Sequence, residues 1–188
     1  MRENQLFNYI ERIGSLLRSE MRSEGAEFGL QPIQMEALYY LSICNRYSDT
    51  PMGVTEYLGQ TKGTVSQSLK VLEKKGLISK HADSQDKRLI HLRISDEGKA
   101  LLGKSVPPPF FLKSCELLSD SEIKSAENIL ANFLRGLQQH NEMKPFGVCR
   151  ACRNNVKNED GSYFCKLTNE SLSKRETELL CREYENSV

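Results

Sequence analysis

The sequence predicts a mainly α-helical protein with a small two-stranded β wing and a separate cysteine-rich end. Three observations predict it. Apolar residues recur at three- and four-residue spacing over most of the first 140 positions, one short stretch near position 90 alternates apolar and polar, and four cysteines crowd into the last forty residues. The chain has 188 residues, with 26 Lys+Arg against 25 Asp+Glu, 38% hydrophobic and 27% charged. That length fits one compact domain with an appendage, and the composition fits a soluble protein able to bury a core. No run approaches the ~18 apolar residues a membrane-spanning helix needs. The opening MRENQLFNYIERIG lacks the uncharged apolar stretch of a signal peptide, so a cytoplasmic protein is expected.

Residues 4–24 carry Phe7, Ile10, Ile13, Leu17 and Met21 on one helical face, and Gly25 and Gly29 bracket the end. A second helix opens at Pro32, tolerated in a first turn, with Ile33, Ala37, Leu38 and Leu41 turned inward. A short third helix is expected over 51–58. In TKGTVSQSLKVLEKKGLISK, Val65, Leu69 and Leu72 form an apolar stripe, Lys62, Thr64, Ser66, Gln67 and Lys70 lie off it, and Gly76 ends the helix. Two strands follow at 77–80 and 89–95, joined by the polar loop HADSQDKR, which is expected to project as a flexible tip. Asp96 opens another helix that Pro107, Pro108 and Pro109 must stop or kink. The Ser119/Glu122 capping box starts a helix with Ile123, Ala126, Leu130, Phe133, Leu134 and Leu137 on one side.

A short helix, a turn, a helix of small polar and basic residues, then two strands with a basic loop is the order of a winged helix-turn-helix. Such a second helix presents short hydrogen-bonding side chains to base edges in the major groove. Its flanks and the wing supply Lys and Arg to phosphates. Residues 50–105 hold ten Lys+Arg and six Asp+Glu, a local excess of +4 in a chain that is +1 overall. The apolar stripes of the terminal helices exceed what so small a domain can cover, which points to a partner copy.

Over residues 5–140 the chain resembles the MarR family of bacterial transcriptional regulators. The resemblance rests on LQPIQMEALYYL (30–41), VTEYLGQTKGTVSQSLKVLEKKGLISK (54–80) and DSQDKRLIHLRISDEGKAL (83–101), where Asp83, Asp86, Arg88, Ile94, Ser95, Gly98 and Leu101 match the wing-and-helix signature. It implies an obligate homodimer with interlocked terminal helices, two winged domains and a pseudo-palindromic double-stranded DNA operator. Carried over by position, Thr61 to Gln67 and Lys70 enter the major groove, and Arg88, positioned by Asp86, reaches the minor groove. The expected DNA-binding set is Thr61, Lys62, Thr64, Ser66, Gln67, Lys70, Lys87 and Arg88. The proline run departs from the family's usual long continuous helix.

Cys149, Cys152, Cys165 and Cys181 are spaced C-x2-C-x12-C-x15-C. A C-x2-C turn lets two thiolates grip one metal, and two more complete a four-sulfur shell. A tail of about 45 residues is too small to fold unaided, so a metal would supply much of its stability. One pair and two isolated cysteines suit an iron–sulfur cluster, which the sequence favours over Zn2+. Arg150, Arg153, Lys166 and Arg182 adjoin cysteines and either offset thiolate charge or serve as plain surface charges. A second capping box, Ser173/Glu176, predicts a helix with Leu180, Cys181 and Tyr184 on one face. Cys44 and Cys115 are expected to be inert buried thiols.

The expected organisation is an N-terminal dimerisation helix (1–30), a winged helix-turn-helix DNA-binding domain (31–105), C-terminal dimerisation helices (106–141) and a four-cysteine metal or cluster tail (142–188). The expected function is a dimeric DNA-binding regulator, a repressor rather than an enzyme, with affinity modulated through the tail. The rival is a regulator gated by a small aromatic effector, with Tyr39, Tyr40, Phe110 and Phe111 lining a pocket and a structural zinc in the tail. A thiol oxidoreductase using Cys149 and Cys152 is the remote third, since the βαβ pattern of such enzymes is missing.

Overall fold

A computed structural model of the chain describes residues 2–84, 86–140 and 144–186. Helix α1 (Arg2–Glu27) runs into a turn through Gly29, whose φ of +62° needs a residue without a Cβ. Helices α2 (Pro32–Ile43), α3 (Pro51–Leu58) and α4 (Lys62–Lys74) then pack against one another. Each start is sequence-encoded. The Thr50 hydroxyl accepts from Gly53 N at 3.1 Å, and the Thr61 hydroxyl accepts from Thr64 N at 3.2 Å. Gly59, at φ +60°, closes α3 and turns the chain into α4.

Strands β1 (Ile78–Ala82) and β2 (Ile90–Ile94) form an antiparallel hairpin with His81 opposite His91. The loop expected over 81–88 is shorter than its composition suggested, because His81 and Ala82 join the ladder. Asp83 N donates to Leu89 O at 2.9 Å beyond it. Helix α5 (Asp96–Ser105) starts on a Ser95 cap and stops before the prolines. Helices α6 (Pro109–Cys115) and α7 (Asp120–His140) follow. The proline run thus separates helices, as its chemistry requires.

The core centres on α2, where Met35, Ala37, Leu38 and Tyr40 have no solvent exposure. Val54, Val65, Leu69, Leu72, Ile78, Leu92, Leu101 and Leu102 close around them. Among the described residues, α7 has no buried side chain, and α1 buries Gly25 alone. Phe7 is 67% exposed and Leu130 55% exposed.

The cysteine-rich end is a folded module. Strands β3 (Gly147–Val148) and β7 (Leu180–Cys181) pair antiparallel, with a 3-10 turn at Cys149–Ala151. Strands β4 (Asn155–Lys157), β5 (Tyr163–Cys165) and β6 (Glu170–Leu172) make a meander. Helix α8 (Lys174–Thr177) starts on the Ser173/Glu176 capping box but lasts four residues. The expectation of a helix carrying Leu180, Cys181 and Tyr184 is therefore corrected. Leu180 and Cys181 find backbone partners in Gly147 and Val148, and a Cβ at Gly147 would lie 2.5 Å from the Tyr184 ring. The boundary expected at 141–142 falls outside the described residues.

Candidate nucleic-acid interface and thiol cluster

Helix α4 divides cleanly. Val65, Ser68, Leu69 and Leu72 are buried, while Thr61, Lys62, Thr64, Ser66, Gln67 and Lys70 are all exposed. The exposed set is the one expected to meet DNA, and it forms a polar, cationic face of short side chains. The Thr61 hydroxyl is engaged in the cap and lies 2.9 Å from the Thr64 hydroxyl. At the hairpin tip, Asp86 holds Arg88 by a fork: Nε to Oδ1 at 3.0 Å and Nη2 to Oδ2 at 3.2 Å. Arg88 still exposes 92% of its side chain. The Arg88 hydrogen bonds hold the Asp86 carboxyl below the usual carboxylate range. Lys87 is exposed beside it.

Sequence reasoning missed the clamp that seats this hairpin. His91 Nδ1 meets Asp49 Oδ1 at 2.5 Å and Nε2 lies 3.3 Å from Asp83 Oδ2, while Leu92 N donates to Asp49 O at 2.6 Å. Burial pulls the His91 pKa down, but the hydrogen bonds and charges of Asp49 and Asp83 more than reverse this, and it ends above its ordinary value. Burial pushes the Asp49 carboxyl up against the pull of His91 and Arg93; Asp49 sits deeper, so burial wins there. A histidine pKa raised on folding stabilises fully below the unfolded value, and the contribution fades as pH rises through the folded one. Replacing His91 by Gln should thus cost on the order of 1 kcal/mol near pH 5.5 and much less near pH 8.5. Urea unfolding of both proteins across that range measures it; a gap that widens with pH would refute the clamp.

The four module cysteines face one cavity of about 20 Å³, together with Asn45 and Asn155. Asn155 Nδ2 donates to Cys149 Sγ at 3.3 Å, and Glu185 N donates to Cys152 Sγ at 3.4 Å. All four are free thiols. Burial pushes Cys149 up to about 11, against the Asn155 hydrogen bond. Burial also raises Cys181, with the Asn45 side chain and the Glu183 backbone pulling the other way. Among the described residues, no group of three or more His, Cys, Asp or Glu stands ready-made in metal-holding geometry. Three flanking arginines are spoken for: Arg150 pairs with Glu178 at 2.9 Å, Arg153 with Glu185, and Arg182 with Glu56 through contacts of 2.6 and 2.9 Å. They are not free to neutralise thiolates. Cys44 is buried and pushed up to about 12 by burial, an unreactive thiol.

The module docks on the head. Asn45 N donates to Leu180 O at 2.9 Å, Arg182 N donates to the Ser48 hydroxyl at 2.8 Å, and Arg46 contacts Glu176 at 2.8 Å. A second cavity, of about 930 Å³, opens between Tyr39, Tyr57, Leu134, Leu137 and Phe146. Of the four aromatics expected to line an effector pocket, only Tyr39 does so. Tyr40 is a core residue whose hydroxyl donates to Ser48 O at 2.8 Å. Phe110 and Phe111 lie on α6, about 40% exposed, and do not line this cavity.

Residues 28–89 match the profile of the MarR family. Over that stretch the head is similar to the MarR family's winged helix. Among curated proteins, the uncharacterized HTH-type transcriptional regulator YwaE of Bacillus subtilis (strain 168) is 33% identical over 82 residues, 44% of this chain. The match spans 47% of that relative, so the chain covers about half of its length. Tm0710 of Thermotoga maritima, a transcriptional regulator, is 26% identical, covering 73% of this chain and 96% of that one, with a TM-score of 0.50. MepR of S. aureus, solved in a DNA-binding conformation, gives 24% identity, 70% and 98% coverage, and a TM-score of 0.59. The family match ends at residue 89, well ahead of the cysteine module. Among the described residues no helix is long and apolar enough to cross a membrane.

Proposed function

We propose that this chain is a dimeric, sequence-specific DNA-binding transcriptional regulator of MarR type, a repressor rather than an enzyme, with its DNA affinity set through a metal centre or cluster in the cysteine module. The observation that carries the DNA reading is the exposed face of α4 beside a hairpin tip whose arginine is held outward by Asp86. MepR, a similar fold, is known in a DNA-binding conformation. The reading of the module as signal input is supported by its grip on the loop between α2 and α3, the two helices that pack against α4. Gating by a small aromatic effector is the second reading, favoured by the cavity beside Tyr39 and Tyr57.

The test uses duplexes enriched by the protein from a random-sequence pool. Gln67→Ala should weaken binding to the enriched duplex by about 1–3 kcal/mol and relax preference at one base position. Lys70→Ala, acting on a phosphate, should weaken all duplexes alike and lower the salt dependence by about one charge. Unchanged affinity in both variants would sink the DNA reading of α4.

A further inference from the structure

Four thiols around one small void could be a mini-core and nothing more. Three features speak against that. First, the thiols are arranged with donors: Asn155 Nδ2 and Glu185 N each aim an N–H at a cysteine sulfur. Neutral thiols are weak acceptors, whereas thiolates are strong ones. Second, Asn45 is 2% exposed and lines the same cavity; its Nδ2 makes no hydrogen bond of full geometry, yet its side chain lies close enough to Cys181 to pull that thiol downward. Leaving such a donor bare costs about 1–3 kcal/mol, and an anionic Cys181 sulfur facing it would remove the cost. Third, Cys149 and Cys152 lie at the two ends of a single 3-10 turn, with Cys152 N donating to Cys149 O at 3.0 Å. That turn sets two cysteines on the rim of the void, and β5 and β7 deliver Cys165 and Cys181 to the same void, so the four sulfurs need only close inward to reach one ion.

We propose that Cys149, Cys152, Cys165 and Cys181 bind a single thiophilic divalent ion of the zinc class as four thiolates, with Asn45, Asn155 and the Glu185 amide as hydrogen-bond donors to the sulfurs. On binding, four S–H bonds break, the protons leave to solvent and four metal–sulfur bonds form, with no change of oxidation state. The small size of the void favours one ion over a cluster. About 20 Å³ is close to the space one water fills, and a multi-iron cluster with its bridging sulfides needs several times more. Soft sulfur donors in a four-coordinate shell select zinc among the common divalent ions. Drawing the sulfurs onto an ion pulls β7 and the Asn45–Ser48 loop together, which deepens the regulatory reading above; only that link to DNA rests on it.

The experiment is cobalt titration of the full chain, stripped of metal and kept anaerobic. The expected result is an intense visible spectrum of tetrahedral thiolate-bound Co2+, saturating at about one ion per chain and bleached by Zn2+. Cys165→Ser should lose this spectrum. Because that variant could also unfold, Asn155→Ala supplies a second reading: it should keep the spectrum while binding Co2+ about 10–100-fold more weakly. Lys70→Ala should take up cobalt like the parent, so a failure of DNA binding and a failure of this site are separable. A pale octahedral cobalt spectrum without sulfur-to-metal bands would overturn the site. So would anaerobically purified protein holding iron and sulfide in equal amounts.

Discussion

Placing Glu at both Phe7 and Leu130 should split the protein into monomers and lower its affinity for a two-half-site duplex by about 100-fold or more. Helix α7 has no buried side chain among the described residues, and its apolar row includes Ile129 at 66% and Leu130 at 55% exposure. Helix α1 adds Phe7 at 67%. Unlike scattered surface apolar groups, these lie in rows on two long helices, the pattern of a surface made to be covered. Carboxylates buried there against a second copy would go unpaired, which association does not tolerate. A monomer then engages one half-site, and the loss of the second attachment is worth about 10²–10⁴ in avidity. Sedimentation velocity and fluorescence anisotropy read the two effects. A variant that stays dimeric would show that another face forms the interface.

Gly53→Ala should be among the most destabilising changes in the head, by about 2–5 kcal/mol. A Cβ there would sit 2.2 Å from Ser48 O and 2.7 Å from the Tyr40 hydroxyl. The first contact is with backbone and cannot be relieved by turning a side chain. The second breaks the buried Tyr40–Ser48 hydrogen bond and leaves a phenol unpartnered. A loss of that size is a large fraction of a total stability of about 5–15 kcal/mol. Gly103→Ala is the control: it lies in α5 with nothing within 4 Å of its added methyl, so it should gain about 0.5–1 kcal/mol. Urea midpoints of the three proteins settle the comparison, and equal midpoints would mean the loop at Ser48 yields freely.

The head was legible in the sequence because its signals are local. The Val65/Leu69/Leu72 stripe fixes which face of α4 turns outward, while the hydroxyl caps of Thr50, Thr61 and Ser95, equally local, were not read from the sequence. What else escaped depends on distant partners. His91 alternates in a strand like any residue, and its role appears only when Asp49, 42 residues earlier, is brought beside it. Tyr40 looks like a pocket aromatic until Ser48 O takes its hydroxyl. The Ser173/Glu176 box announces a helix correctly but says nothing of its length, which the pairing of Leu180 with Val148 cuts short. Arginines beside cysteines suggest charge compensation, whereas each of Arg150, Arg153 and Arg182 has a glutamate brought to it by the fold.

Phe146 has a consequence of its own. It stands at the threshold of the cysteine module yet belongs to the head's core, with its ring edge-on to Tyr40 and Tyr57 at centroid distances of 6.0 and 5.4 Å. Leu180, at the far end of the module, packs on that core too. The two parts therefore share hydrophobic surface, and a single unfolding transition by calorimetry is the expected result. Whatever steadies the thiol shell should then raise the melting temperature of the winged head as well. An intruding oxidant at the sulfurs would, by the same coupling, be felt as lost cohesion in the winged head.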